Sequence, residues 1–218
     1  MIIHTDEQGS PEWHESRAGV ITASVFADAR TRLKKTGEFG ATAQNYAFRL
    51  ALERVAGKPL DDGMETWAMK RGRDLEPAAR AAYAKRIGKE IQTAGFCTND
   101  SGKFGASADG FIGEDAGLEI KCLVDPARIR TVIVDNNLSE FMDQIQGGMW
   151  ITGRDRWHFV LYLPQMLAAG RSIYSKVVER DVDYIRAMER DLAAFDRMVQ
   201  DFEVGVRQNL PQESTEPF

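Results

Sequence analysis

Residues 105–122 read GASADGFIGEDAGLEIKC, from Gly105 to Cys122. At the end of this stretch Leu118, Ile120 and Cys122 alternate with Glu119 and Lys121. Successive side chains of a strand point to opposite faces, so the three apolar groups share one face and the two charges share the other. Upstream, KFGASAD (103–109) is a second short extended run, and the turn-rich GFIGEDAG (110–117) joins it to GLEIKC as a hairpin or meander. Asp109 closes the first run, directly before Gly110, and is carried across the meander toward Glu119. Two readings of the charged face stay open on these residues. In one, Glu119 and Lys121 form a structural ion pair on a solvated face. In the other, Asp109 and Glu119 converge on a divalent cation. Mg²⁺ suits such a site because it takes hard oxygen ligands, often only one or two carboxylates, and keeps several waters. The main-chain carbonyl of Ile120 would add a ligand. Lys121 beside the ion would orient a water and stabilise negative charge developing on phosphorus.

The elements around this stretch follow from periodicity and punctuation. EIQTAGFC (90–97) reads as a further strand, WHFVLYL (157–163) as a continuous apolar and therefore central strand, and SIYSKVVER (172–180) as its neighbour. TAQNYAFRLALERVAG (42–57) has helical spacing and ends on Gly57. A helical pattern from about Met64 to Ile87 contains Pro77, which predicts a kink or a fresh helix start after Glu76. A short helix is expected near Ser24, with Ser24 as its cap. Residues 138–151 read as a helix, and a last long helix runs from a cap at Asp181 to Phe202. The order of helices, meander, helix, two strands and helix implies a mixed α/β or α+β fold, a central mixed β-sheet flanked by helices. Trp13, Trp67 and Trp150 read as packing residues.

The 218 residues carry 43% apolar content and a net charge of −5. That length suffices for one domain over residues 1–218, and nothing marks a linker or repeat. An acidic chain has no global electrostatic claim on nucleic acid, so contact with DNA would have to be local. Cys97 and Cys122 read as two thiols in a reducing compartment, too few for a four-cysteine zinc site. No apolar run approaches the ~20 residues of a membrane span, and MIIHTDEQGSPEW is not a signal peptide, which points to the cytoplasm. His4, His14 and His158 lack ligand spacing.

Five blocks in order carry a family resemblance. They are W-H-x-x-R-x-G-V-I-T-A-S at Trp13–Ser24, R-G-x-x-x-E at Arg71–Glu76, S-A-D-G at Ser107–Gly110, L-E-I-K-C at Leu118–Cys122 and Q-I-Q-G-G-M-W-I-T at Gln144–Thr152. The set resembles the PD-(D/E)XK nuclease superfamily, and within it the phage lambda exonuclease and YqaJ-type recombinase family. The resemblance implies a restriction-endonuclease-like core. It implies Asp109 and Glu119, with the Ile120 carbonyl, as metal ligands, Lys121 as the water-activating lysine and Glu76 as a further catalytic acid. It implies Mg²⁺ as cofactor, with Mn²⁺ as a substitute.

It also implies that Arg17, Ser24, Ser107 and Gln144 form a pocket for a 5′-terminal phosphate, which suits a planar guanidinium and nearby hydroxyls. Met69 matches a place where the family carries an apolar wedge against the terminal base pair, although Met on a helix is commonly core. The activity so implied is an alkaline-type 5′-to-3′ exodeoxyribonuclease on duplex ends, releasing 5′-mononucleotides and leaving 3′ overhangs for recombination. Its implied partners are 5′-phosphorylated DNA ends, a homotrimeric ring and a single-strand-annealing protein, in the setting of a phage or prophage in a bacterial host. An endonuclease with the same core, or a non-enzymatic protein that binds DNA ends, would use many of the same residues.

Overall fold

The computed structural model describes residues 1–6, 9–60 and 66–210. In chain order its first elements are β1 (Ile2–His4), α1 (Pro11–Arg17), β2 (Ile21–Thr22), α2 (Phe26–Ala29), α3 (Ala41–Ala56) and α4 (Trp67–Ile87). Next come β3 (Phe96–Thr98), β4 (Phe104–Ser107), β5 (Gly110–Ile112), β6 (Ala116–Lys121) and α5 (Pro126–Ile133). Last are α6 (Met142–Thr152), β7 (Arg156–Tyr162), β8 (Ile173–Glu179) and α7 (Val182–Asn209).

The strands form two mixed four-stranded sheets, ordered β1-β3-β4-β2 and β5-β6-β7-β8. The chain passes from one to the other at Ala108 and Asp109, between β4 and β5. This corrects the expected meander. β4 pairs with β2 and β3, not with β6; the supposed turn supplies β5, which pairs with β6 over Gly110–Ile112 and Ala116–Leu118. Composition hides β5 because tertiary contact makes it: Phe111 and Gln92 exchange two backbone hydrogen bonds of 2.8 and 2.9 Å. A side chain at Gly110 would lie 2.5 Å from Ile91, so the residue after Asp109 has room only for glycine.

Helices cover both faces of the second sheet. Leu118, Ile120, Val160 and Tyr162 pack with Ala79 and Tyr83 of α4, while Trp157, Phe159 and Leu161 pack with Ile145 and Met149 of α6 and Val132 of α5. The alternation predicted for β6 is therefore present, but the face of Glu119 is not solvated. It lies under α6. The first sheet closes against α2, α3, α6 and α7 through Ile21, Phe26, Leu50, Ala106, Ile151 and Phe195.

Several ends differ from expectation. α4 runs unbroken through Pro77, so no fresh start occurs there, and Thr66 caps it by accepting from Met69 N at 3.2 Å. The predicted beginning at Met64 lies outside the described residues. Ser24 caps no helix; it sits inside a 3₁₀ turn, Ala23–Val25, that leads into α2. Asp181 does cap α7, accepting from Tyr184 N at 2.9 Å. Trp67 is 68% exposed, not core, and Met69 beside it is 63% exposed. Trp150 is half-buried against the first core, and Trp13 is half-buried beneath Arg17. Both cysteines are free thiols. Among the described residues no helix is long and apolar enough to cross a membrane.

Candidate active site

Pairing with β5 ends at Leu118, whereas β7 accompanies β6 to Lys121. Beyond Leu118 the free edge of β6 faces Asp109. Asp109 N donates to Leu118 O at 2.9 Å, and Asp109 Oδ2 accepts from Ile120 N at 2.5 Å. The N–H and C=O of one strand residue point to the same side, so the Ile120 carbonyl is directed along this same edge. Glu119 Oε1 lies 2.7 Å from Lys121 Nζ, and that ammonium also donates to Gln144 Oε1 at 2.9 Å.

Glu76 arrives from α4, where it is ion-paired to Arg80 one turn later. The same guanidinium donates from Nε to the main-chain carbonyl of Asp109 at 2.7 Å. A second arginine of α4, Arg71, donates to the carbonyl of Cys122 at 2.7 Å. The helix is thus tied to the chain at both carboxylate-bearing segments. Arg71 stands in the R-G-x-x-x-E block, but Arg80 was not among the residues singled out from the sequence. Its position four after Glu76 is the signal that would have found it.

Burial raises Asp109 well above the ordinary carboxylate range, and the nearby charges of Glu119 and Glu76 push in the same direction. Burial likewise raises Glu76, against the pull of Arg80 and with a contribution from Glu119. Burial opposes the ammonium of Lys121, yet Glu119 and Asp109 hold its pKa above the ordinary lysine value. Three carboxylates therefore feel one another across the β6 edge. Burial also moves the Cys122 thiol to about 11, leaving it uncharged and unreactive near neutrality.

Among the described residues no three His, Cys, Asp or Glu side chains form a ready-made metal cage. Each carboxylate is occupied instead: Asp109 by a backbone N–H, Glu119 by Lys121 and Glu76 by Arg80. The donor chemistry nevertheless fits a hard divalent ion, with the carboxylates of Asp109 and Glu119 and the Ile120 carbonyl brought together at β6. A cleft of about 640 Å³ opens beside Glu76 and Arg80, walled also by Thr93 and Phe111, within the size range of small-molecule sites.

The second group of candidates comes from separate elements: Arg17 ends α1, Ser24 lies in the 3₁₀ turn before α2, Ser107 ends β4 in the first sheet and Gln144 is in α6. Arg17 Nη1 donates to Ser107 Oγ at 2.8 Å, and its guanidinium stacks 4.2 Å from the centre of the Trp13 ring and 4.9 Å from that of Phe96. Ser107 precedes Asp109 by two residues. Ser24 Oγ lies 3.3 Å from Thr22 Oγ1, whose backbone N–H donates to Tyr46 Oη at 3.3 Å. Gln144 is attached to Lys121, on the side of the carboxylates.

A family model for the YqaJ-like viral recombinase domain matches residues 12–155, which include every one of these side chains. The chain belongs to this family. The fold agrees with the alkaline exonuclease LHK-Exo of Laribacter hongkongensis, 31% identical, over 92% of this chain and 98% of that one, with a TM-score of 0.76. Against the same exonuclease in complex with dAMP, at the same identity and coverage, the TM-score is 0.79. A phage-related exonuclease from Haemophilus somnus 129PT shares the fold at 16% identity, over 86% of this chain and 96% of that one, with a TM-score of 0.65. ExoD of Escherichia coli (strain K12) is 38% identical over 64 residues, 29% of this chain. That match spans 63% of the length of ExoD. In this YqaJ-like chain the matched region thus contains the β6 edge, the Arg17–Ser107 contact and the α4 arginines together.

Proposed function

We propose that the chain is a Mg²⁺-dependent exodeoxyribonuclease that degrades the 5′-ended strand of linear duplex DNA, releasing 5′-mononucleotides and leaving 3′ overhangs. The observation that carries this reading is the buried Glu119–Lys121 pair on β6, beside Asp109, which accepts from the backbone N–H of the residue between them. A structural ion pair needs no third and fourth charged group, yet Glu76 and Asp109 crowd this one at an electrostatic cost.

Asp109, Glu119 and the Ile120 carbonyl would hold the cation, which when bound supplies Lewis-acid polarisation of a phosphoryl oxygen and a more acidic water. Lys121 Nζ, with a donor already turned to Gln144, orients the attacking water and faces the charge that grows on phosphorus. Arg17, Ser107 and Ser24 receive the 5′-phosphate. Arg17 suits this because its guanidinium is held over the Trp13 ring and donates to Ser107. The exposed Met69 at the first turn of α4 is available as a wedge against the terminal base pair. The setting we propose is a homotrimeric ring acting with a single-strand-annealing protein in the cytoplasm of a phage-carrying bacterium.

Linear duplex labelled separately at its 5′ and 3′ ends, incubated with and without Mg²⁺, tests the activity. Release of 5′ label as mononucleotide only with Mg²⁺ is expected. Cutting of a covalently closed circle would replace this reading with an endonuclease, and binding without hydrolysis would replace it with a DNA-end scaffold. Arg17→Ala is expected to remove most of the preference for 5′-phosphorylated over 5′-hydroxyl ends, because the lost contact is to a group that only the first substrate carries.

A further inference from the structure

Arg80 touches the site twice, at the Asp109 carbonyl and at the Glu76 carboxylate, and both ion-pair side chains are largely shielded, at 19% and 14% exposure. A guanidinium is a permanent charge in a rigid fork, and here two of its nitrogens are engaged at once, so it does not swing away as a lysine can. The partners of the other two carboxylates are of a different kind. Asp109 Oδ2 accepts from a neutral backbone N–H, and Glu119 faces Lys121, an ammonium on a flexible stem that also serves Gln144. A cation entering at the β6 edge can therefore recruit Asp109 and Glu119 by small movements. Recruiting Glu76 requires breaking an ion pair anchored at a second point.

We infer that Arg80 is a positioning residue that withholds Glu76 from the divalent cation, so that the ion is held by Asp109 and Glu119 and not by all three acids. Glu76 then serves the site through Arg80, by fixing the guanidinium that grips the Asp109 main chain. The inference rests on the cation-binding reading of the site and adds to it an opposite sign for one variant. An arginine that only propped up the site would weaken metal binding when removed. An arginine that withholds a ligand tightens it, because cation affinity rises with the number of charged ligands.

Mn²⁺ binding to the full chain, followed by loss of the free-ion paramagnetic resonance signal, reads this without any turnover. Arg80→Gln, which keeps a hydrogen-bond donor but no charge, is expected to bind Mn²⁺ about tenfold more tightly than the parent, as one more charged ligand dictates. The gain should disappear in Arg80→Gln/Glu76→Gln, and Arg80→Lys, whose ammonium can release Glu76, should fall between the parent and Arg80→Gln. Equal or weaker binding by Arg80→Gln overturns the inference. If that variant does not fold, Glu76→Gln alone decides: unchanged Mn²⁺ affinity supports the withheld carboxylate, and a clear loss shows that Glu76 is a ligand and overturns it. A parent that binds no Mn²⁺, or whose binding survives Asp109→Asn, removes the cation reading itself, an outcome distinct from the others.

Discussion

Glu119 is 3% exposed, so its charge has to be balanced where it stands. Lys121 does this at 2.7 Å, and its side chain is itself only 25% exposed. Removing one partner of such a pair leaves the other uncompensated, at a cost toward the lower end of ~3–5 kcal/mol. Lys121→Ala is thus expected to lose both hydrolysis and stability. Glu119→Gln/Lys121→Met removes both charges at similar volume, and denaturant unfolding should return most of the stability while activity stays absent. Recovery of activity with stability would make the pair structural. Asp109 and Glu76 predict a pH response of the opposite kind to ordinary acids. Their raised values mean that the folded chain keeps protons which the unfolded chain has lost. The stability this gives is complete below about pH 4, the ordinary carboxylate value, and is lost as pH rises through the raised values. In EDTA the contribution of these two acids therefore falls with rising pH, and Asp109→Asn/Glu76→Gln should flatten the slope of melting temperature against pH. Added Mg²⁺ should stabilise the parent more as pH rises, since the ion then no longer competes with protons.

Helix α6 shows how an element is placed by what it lacks. A side chain at Gly147 would lie 2.7 Å from the Phe26 ring, and one at Gly148 would lie 2.6 Å from the Trp157 ring. The helix packs backbone-first between two cores. Buried Gln146 fastens it further, donating to Glu179 O at 3.0 Å and accepting from Asp181 N at 3.0 Å. Gly148→Ala is expected to cost ~1–3 kcal/mol through overpacking, and to lower turnover by displacing Gln144, which lies one turn earlier in the helix. Gly205 in α7 meets nothing within 4 Å, so Gly205→Ala should stabilise by about 0.5–1 kcal/mol. Urea midpoints of the two variants should move in opposite directions. This helix, β7, β8 and α7 were legible because each carries a long periodic run. β1 and β5 were not, since three-residue strands are made by their neighbours. The charged face of β6 was legible as a face but not as a buried one, because the helix that covers it begins more than twenty residues later. Trp67 misled because a large aromatic is usually inside, whereas here it occupies the first turn of α4, with Arg71 5.9 Å from its ring centre. Pairwise spacing links Arg80 to Glu76, but its second contact, on Asp109, crosses from helix to strand and has no signature in sequence.

At the scale of the whole molecule the difficulty is charge. A processive exonuclease has to hold a polyanion while it moves, and proteins that do so by phosphate neutralisation release many counterions and are strongly salt-dependent. This chain has a net charge of −5 and Lys and Arg scattered along its length. In the proposed ring, retention is topological: the duplex enters one mouth, the degraded strand leaves as nucleotides, and escape requires opening a closed heterologous interface. Loading and retention then respond differently to salt. Loading depends on local phosphate contacts such as Arg17 and should weaken steeply as salt rises. The number of nucleotides removed per encounter should change little over the same range. Sedimentation at working concentration is expected to give a trimer, and a chase with excess unlabelled duplex should leave already loaded complexes digesting. A monomer that surrenders its substrate to the chase after each cleavage is incompatible with the ring, and retention would then have to be traced to contacts within a single chain.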